Sequence, residues 1–166
     1  MKNTNELMKV ITRIIELKKP VNMKSFRGES VESSRDALFM SINDCGTTGC
    51  ILGWCPILGE GDLVPLAEDF SVMHGNLRFS AYASRVFSSE YDPESYPESY
   101  PESDPDYCED CGDEWDWLFG DEWPNSAEAA KVRLEYALEN GFPEEYSYNY
   151  EECCVQCDDG TWKIVL

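Results

Sequence analysis

Proline stands at every fourth position from Pro93 through Pro97 and Pro101 to Pro105. That spacing forbids a helix across the middle of this chain. A proline has no N–H to donate, and its ring collides with the carbonyl four residues back. The repeating unit is Pro-Glu-Ser-Tyr, and an acid recurs in the same register at 90, 94, 98, 102, 106, 110 and 114. Tandem turns with proline at the second position, or an extended polyproline-like run, are the conformations left. A solvated loop is the plain reading of such a segment. The repeat divides the 166 residues into a helical part over 1–89, an acidic repeat loop over 90–107, and a Trp-rich part over 108–166 that completes the same domain.

Charge follows the same division. The formal net charge is −20, and residues 90–166 account for all of it, with 23 acids against Lys131, Arg133 and Lys163. Residues 1–37 carry 8 basic and 5 acidic side chains. Such a field repels nucleic acid and anionic membrane and attracts basic protein surfaces and cations. The first residues hold no apolar run long enough for a signal peptide, and no stretch is long and apolar enough to span a bilayer. A cytoplasmic protein is expected, and its eight cysteines are then expected to be reduced thiols or metal ligands.

Apolar periodicity predicts a mainly helical core. Leu7, Val10, Ile11, Ile14 and Leu17 share one face of a helix over Asn3–Lys19, capped by Asn3, Thr4 or Asn5 and stopped by Pro20. A second helix is expected near Ser33 or Ser34. A third runs from Thr47, as its cap, to Trp54 and is ended by Pro56. Residues 82–87 form a turn or two of helix. Trp115, Leu118, Phe119 and Trp123 fall on one buried helical stripe, with Trp117 off it and exposed. Asn125 with Glu128 reads as a capping box for a helix to Asn140, burying Ala127, Ala130, Leu134, Ala137 and Leu138. Gly141 closes that helix. An Asp-Asp-Gly turn then leads into a strand over 161–166. The fold class is α+β, with a small C-terminal β element.

Two Cys-x-x-Cys pairs, Cys108/Cys111 and Cys154/Cys157, have the ligand types and local spacing of a four-thiolate zinc clasp. Zinc there would tie the acidic segment to the C-terminal strand and turn binding energy into folding energy. Ordinary reduced thiols are the alternative. Cys45, Cys50 and Cys55 lie five apart, do not share a helix face, and read as small buried residues.

Cys45-Gly-Thr-Thr-Gly-Cys-Ile-Leu-Gly-Trp54, Tyr82-Ala-Ser-Arg-Val-Phe87, and Trp115-Asp-Trp-Leu-Phe-Gly-Asp-Glu-Trp123 with the helix after it resemble small, largely uncharacterised proteins of tailed bacteriophages. The resemblance covers about half the chain in three islands. Cys55 departs from its usual Ala, and the repeat with its cysteine pair has the form of an insertion. The resemblance implies a phage origin and a small mixed fold, and no reaction.

These features point to a non-catalytic acidic protein that binds a basic partner, in its sharpest form a DNA mimic occupying the nucleic-acid site of a host protein. The repeat alone is too sparse for mimicry. Extended at about 3.1 Å per residue, its acids stand about 12 Å apart, against one charge per about 1.7 Å of B-DNA axis. The denser acids are the candidate surface: Glu109, Asp110, Asp113, Glu114, Asp116, Asp121, Glu122, Glu144, Glu145, Glu151 and Glu152, with Asp158 and Asp159 beyond them. Tyr96, Tyr100, Tyr146, Tyr148 and Tyr150 could add aromatic contacts. A solvated acidic face without a partner is the alternative. An enzyme would need Asp113 or Asp116 walled by tryptophan, or a Cys50/His74 dyad. Neither Asp158-Asp-Gly160 nor Gly120-Asp-Glu completes a calcium loop.

Overall fold

A computed structural model describes residues 1–21, 50–66, 69, 79–88, 117–120, 122–144 and 148–166. Its elements are helices α1 (Thr4–Glu16), α2 (Ile51–Leu58), α3 (Phe79–Phe87), α4 (Ala127–Asn140) and α5 (Tyr150–Cys153), a 3-10 turn over Gly61–Leu63, and strands β1 (Cys154–Gln156) and β2 (Trp162–Ile164). The expected second helix near Ser33 lies outside the described residues. The α+β reading holds: helices carry the core, and the two strands pair antiparallel, with Cys154 opposite Ile164. No helix among the described residues is long and apolar enough to cross a membrane.

The core is continuous across the repeat. Leu7, Val10, Ile11 and Ile14 of α1 join Trp54 of α2, Tyr82 and Phe87 of α3, and Leu134 and Ala137 of α4 in one buried cluster. Helix α4 packs on α1 and on the hairpin, and α1 also packs on α2. The two parts of the chain therefore share one hydrophobic interior.

Several helix ends differ from what the sequence suggests. Asn3 precedes α1 but does not cap it with its side chain. Its Nδ2 instead donates to the Val86 carbonyl at 2.7 Å, tying α1 to α3. Cys50 caps α2 by accepting the Gly53 N–H at 3.3 Å, while Thr47 lies outside the described residues. Pro56 sits inside α2 and does not end it. In so short a helix its missing N–H removes one bond in the last turn, and burial of all eight residues outweighs that loss. Ser126, and not Asn125, caps α4: its hydroxyl accepts the Ala129 N–H at 3.2 Å and donates to Glu128 at 2.9 Å. Leu138, expected inside, is exposed.

Helix α1 ends in a Schellman motif. Lys19 N–H donates to Ile14 and Lys18 N–H to Ile15, with Lys18 at φ 50° in the left-handed region. A side chain is disfavoured there by about 1 kcal/mol. Lys18→Gly is accordingly expected to raise stability by about 0.5–1 kcal/mol in urea denaturation.

Candidate functional site

The fold gives the acidic half two layers, a buried cation and an exposed acidic face. Arg133 is the centre of the first. It sits on the inner face of α4 among Ala129, Ala130 and Ala137 and is fully buried. Its Nε donates to the Trp117 carbonyl at 3.0 Å and its Nη2 to the Leu118 carbonyl at 3.3 Å. The Trp117 indole N–H returns a bond to the Arg133 carbonyl at 2.9 Å. The guanidinium lies 4.3 Å from the Trp123 ring centroid, a cation–π geometry. No salt bridge joins Arg133 to a carboxylate among the described residues, and its Nη1 has no hydrogen-bond partner. Burial lowers its pKa to about 10, and the nearby Cys154, Cys153 and Tyr148 partly offset that. At neutral pH it stays charged.

Aromatic rings wall this cation. Trp117 meets Trp123 edge-on at 5.2 Å, Trp123 stacks on Tyr148 at 5.6 Å, and Tyr150 meets Trp123 at 4.7 Å. Trp117 is therefore buried and not exposed as its stripe position suggested. The helical turn at 117–119 stops before Gly120, so Trp123 returns to the core through a bend and the single long stripe does not form. Trp115 lies outside the described residues. Tyr148 and Tyr150 are half-buried in the cluster and contribute to packing. Sequence reading passed over Arg133, although the signal was present: it lies four residues from Ala129 and Ala137 and three from Ala130, within the apolar stripe of α4.

The candidate partner-binding acids divide into three groups. Glu122, Glu144 and Glu152 are described and exposed. Glu151 lies in α5. Glu109, Asp110, Asp113, Glu114, Asp116, Asp121 and Glu145 lie outside the described residues. To the exposed set the structure adds Glu128, Glu135 and Glu139 on the outer face of α4, together with Asp158 and Asp159 in the hairpin turn. Steps of seven and four residues place the three α4 carboxylates about 10 Å and about 6 Å apart along the axis. That is closer than about 12 Å, the spacing expected for acids four residues apart in an extended run. Of the three cations in 90–166, Arg133 is withdrawn into the core, Lys131 pairs with Glu135 at 3.6 Å, and Lys163 is exposed.

The cysteines read mainly as structural. Cys50, with its thiol in the cap of α2, is pushed up to about 11 by burial, the opposite of an activated nucleophile. His74 lies outside the described residues. Cys55 is fully buried and donates to the Ile51 carbonyl. In the second pair, Cys157 is half-exposed in the turn, while Cys154 is buried beside Arg133. Cys108 and Cys111 lie outside the described residues. Among the described residues no group of three or more potential ligands is placed to hold a metal. A zinc ion on Cys154 would stand next to a buried guanidinium. Burial raises the Cys154 pKa, and the guanidinium beside it works the other way, favouring the thiolate that a metal would need.

No protein family, curated protein or solved structure matches this chain. The functional reading therefore rests on its own residues.

Proposed function

We propose that this is a non-catalytic binding protein whose acidic half engages a basic surface of a partner protein. The observation that carries the reading is the withdrawal of Arg133 into the core while Glu122, Glu128, Glu135, Glu139, Glu144, Glu152, Asp158 and Asp159 stay exposed. Withdrawing Arg133 leaves the net charge unchanged but takes one cation out of direct reach of a partner, so the face a partner meets is carboxylate-rich. A potential of one sign over a rigid helix and hairpin steers a basic partner and speeds encounter. The bacteriophage resemblance suggests where that partner belongs, among nucleic-acid-binding proteins of a host. Carboxylates about 6–10 Å apart along α4 are still several times sparser than one charge per about 1.7 Å of B-DNA axis, so mimicry would need the other acids of this half beside them.

Salt tests the reading. Binding to immobilised core histones, used as a basic probe, is expected to weaken at least tenfold between 50 and 200 mM NaCl. DNA is expected to compete. Glu135→Lys/Glu139→Lys/Glu152→Lys should weaken binding at 50 mM NaCl by a similar factor with the fold intact by circular dichroism. Binding that is flat in salt and indifferent to these changes rejects the proposal.

A further inference from the structure

The hairpin has an open side. Cys157 N–H donates to the Thr161 carbonyl at 2.7 Å, and Val165 N–H donates to the Cys153 carbonyl at 2.8 Å. Hydrogen-bonded positions alternate in an antiparallel ladder. Residues 161, 163 and 165 therefore turn their backbone groups toward β1, and Trp162 and Ile164 turn theirs away from it. Among the described residues β2 has no second neighbour: its sheet there has two strands. Among the described residues no bond reaches the outward N–H or C=O of Trp162 or Ile164. Natural edges are blunted by proline, bulges or several charges. Residues 161–166 supply only Lys163, whose side chain stands off the sheet face and not across the edge. The side chains of Trp162 and Ile164 pack on the core, which holds the edge in place.

We infer that this edge of β2 accepts an extended, lysine- or arginine-rich segment of the partner as a third strand. The inference rests on the basic-partner reading above and gives that partner a form. Strand addition supplies main-chain bonds for affinity, and the neighbouring charges select the sequence. Glu152, Asp158 and Asp159 are exposed on the same hairpin and the helix leading into it. A second copy of this chain is the poorer occupant, because pairing two chains of net charge −20 brings like fields together.

The test uses the full chain and two fluorescent probes at 50 mM NaCl. One is an extended peptide of alternating lysine and valine; the other is a helical peptide of alanine and lysine with the same charge. The alternating peptide is expected to bind, and to slow hydrogen exchange of the Trp162 and Ile164 amides at least tenfold by NMR. An N-methyl group on the Ile164 amide can be introduced by ligating a synthetic 157–166 segment at Cys157. It removes the outward donor and leaves every ladder bond to β1 intact, so it should weaken binding at least tenfold. Ile164→Pro should do the same, and Ile164→Ala should not. Equal binding by the N-methylated chain overturns the edge proposal. Equal binding of both peptides without protection of the Trp162 and Ile164 amides also overturns it, and leaves the basic-partner reading standing. Failure of both peptides to bind removes both. Protection that grows with protein concentration alone assigns the edge to a second copy and overturns the proposal.

Discussion

Arg133→Ala is expected to lower the free energy of unfolding by about 3 kcal/mol, whereas Arg133→Met should cost less than about 1 kcal/mol. The difference follows from what the guanidinium gains and loses. It bonds the carbonyls of Trp117 and Leu118 and lies over Trp123, but its Nη1 is unpartnered. Burial lowers its pKa to about 10. A folded pKa below the unfolded one means that the fold disfavours the proton. That penalty applies in full at neutral pH and is relieved only as pH rises past about 10. The buried charge therefore costs on the order of a few kcal/mol at neutral pH. Methionine keeps the stem's packing and removes the charge. Both variants strand the two carbonyls, but alanine also leaves a cavity under two tryptophans. Urea denaturation of the three chains checks the prediction. If the methionine variant falls as far as the alanine variant, the hydrogen bonds and the cation–π contact outweigh the buried charge.

Gly59→Ala is expected to destabilise the protein by about 2–3 kcal/mol, and Gly53→Ala to leave stability unchanged or raise it by up to about 0.5 kcal/mol. A Cβ on Gly59 would stand 2.5 Å from the Cys55 carbonyl oxygen and 2.5 Å from Leu63 Cβ. Leu63 is fully buried, and the same Cys55 oxygen accepts the Gly59 N–H at 2.8 Å. Neither neighbour can give way without unwinding the end of α2. A Cβ on Gly53 would meet only the Cys50 sulfur, at 3.7 Å, which is ordinary contact. Thermal unfolding of the two variants decides between them. An equal loss in both would show that close packing around Gly53 is tighter than this geometry allows.

The two glycines show how far the sequence could be read. Gly53 belongs to the Cys-Gly-Thr motif and invites attention, yet Gly59 is the one whose hydrogen atom is required. The need arises from Leu63, brought back by a turn that local pattern does not encode. The periodic elements were legible. Helix α1 and helix α4 each carry their apolar stripe at helical spacing, and the Asp-Asp-Gly turn places Gly160 at φ 85°, where a side chain is disfavoured. Asp159 completes that turn by accepting from Thr161 N–H and Oγ1 at 2.9 and 2.6 Å.

Caps and aromatics were misplaced for a common reason. Competing cap acceptors three residues apart, such as Thr47 and Cys50, both suit a helix start in sequence, and the start of α2 selects Cys50. Trp117 lies off the Trp115–Trp123 stripe, yet it is buried because the Arg133 carbonyl of α4 accepts its indole N–H and Trp123 and Tyr148 close on its ring. Of the candidate site, the sequence by itself determined the sign and location of the charge, since 23 acids against three cations need no fold to be counted. Tertiary structure alone decided that one of those cations is buried, that Glu128, Glu135 and Glu139 of α4 stay exposed, and that the outward edge of β2 has no partner among the described residues. Burial and strand pairing depend on residues distant in the chain, and periodicity within a segment carries no record of them.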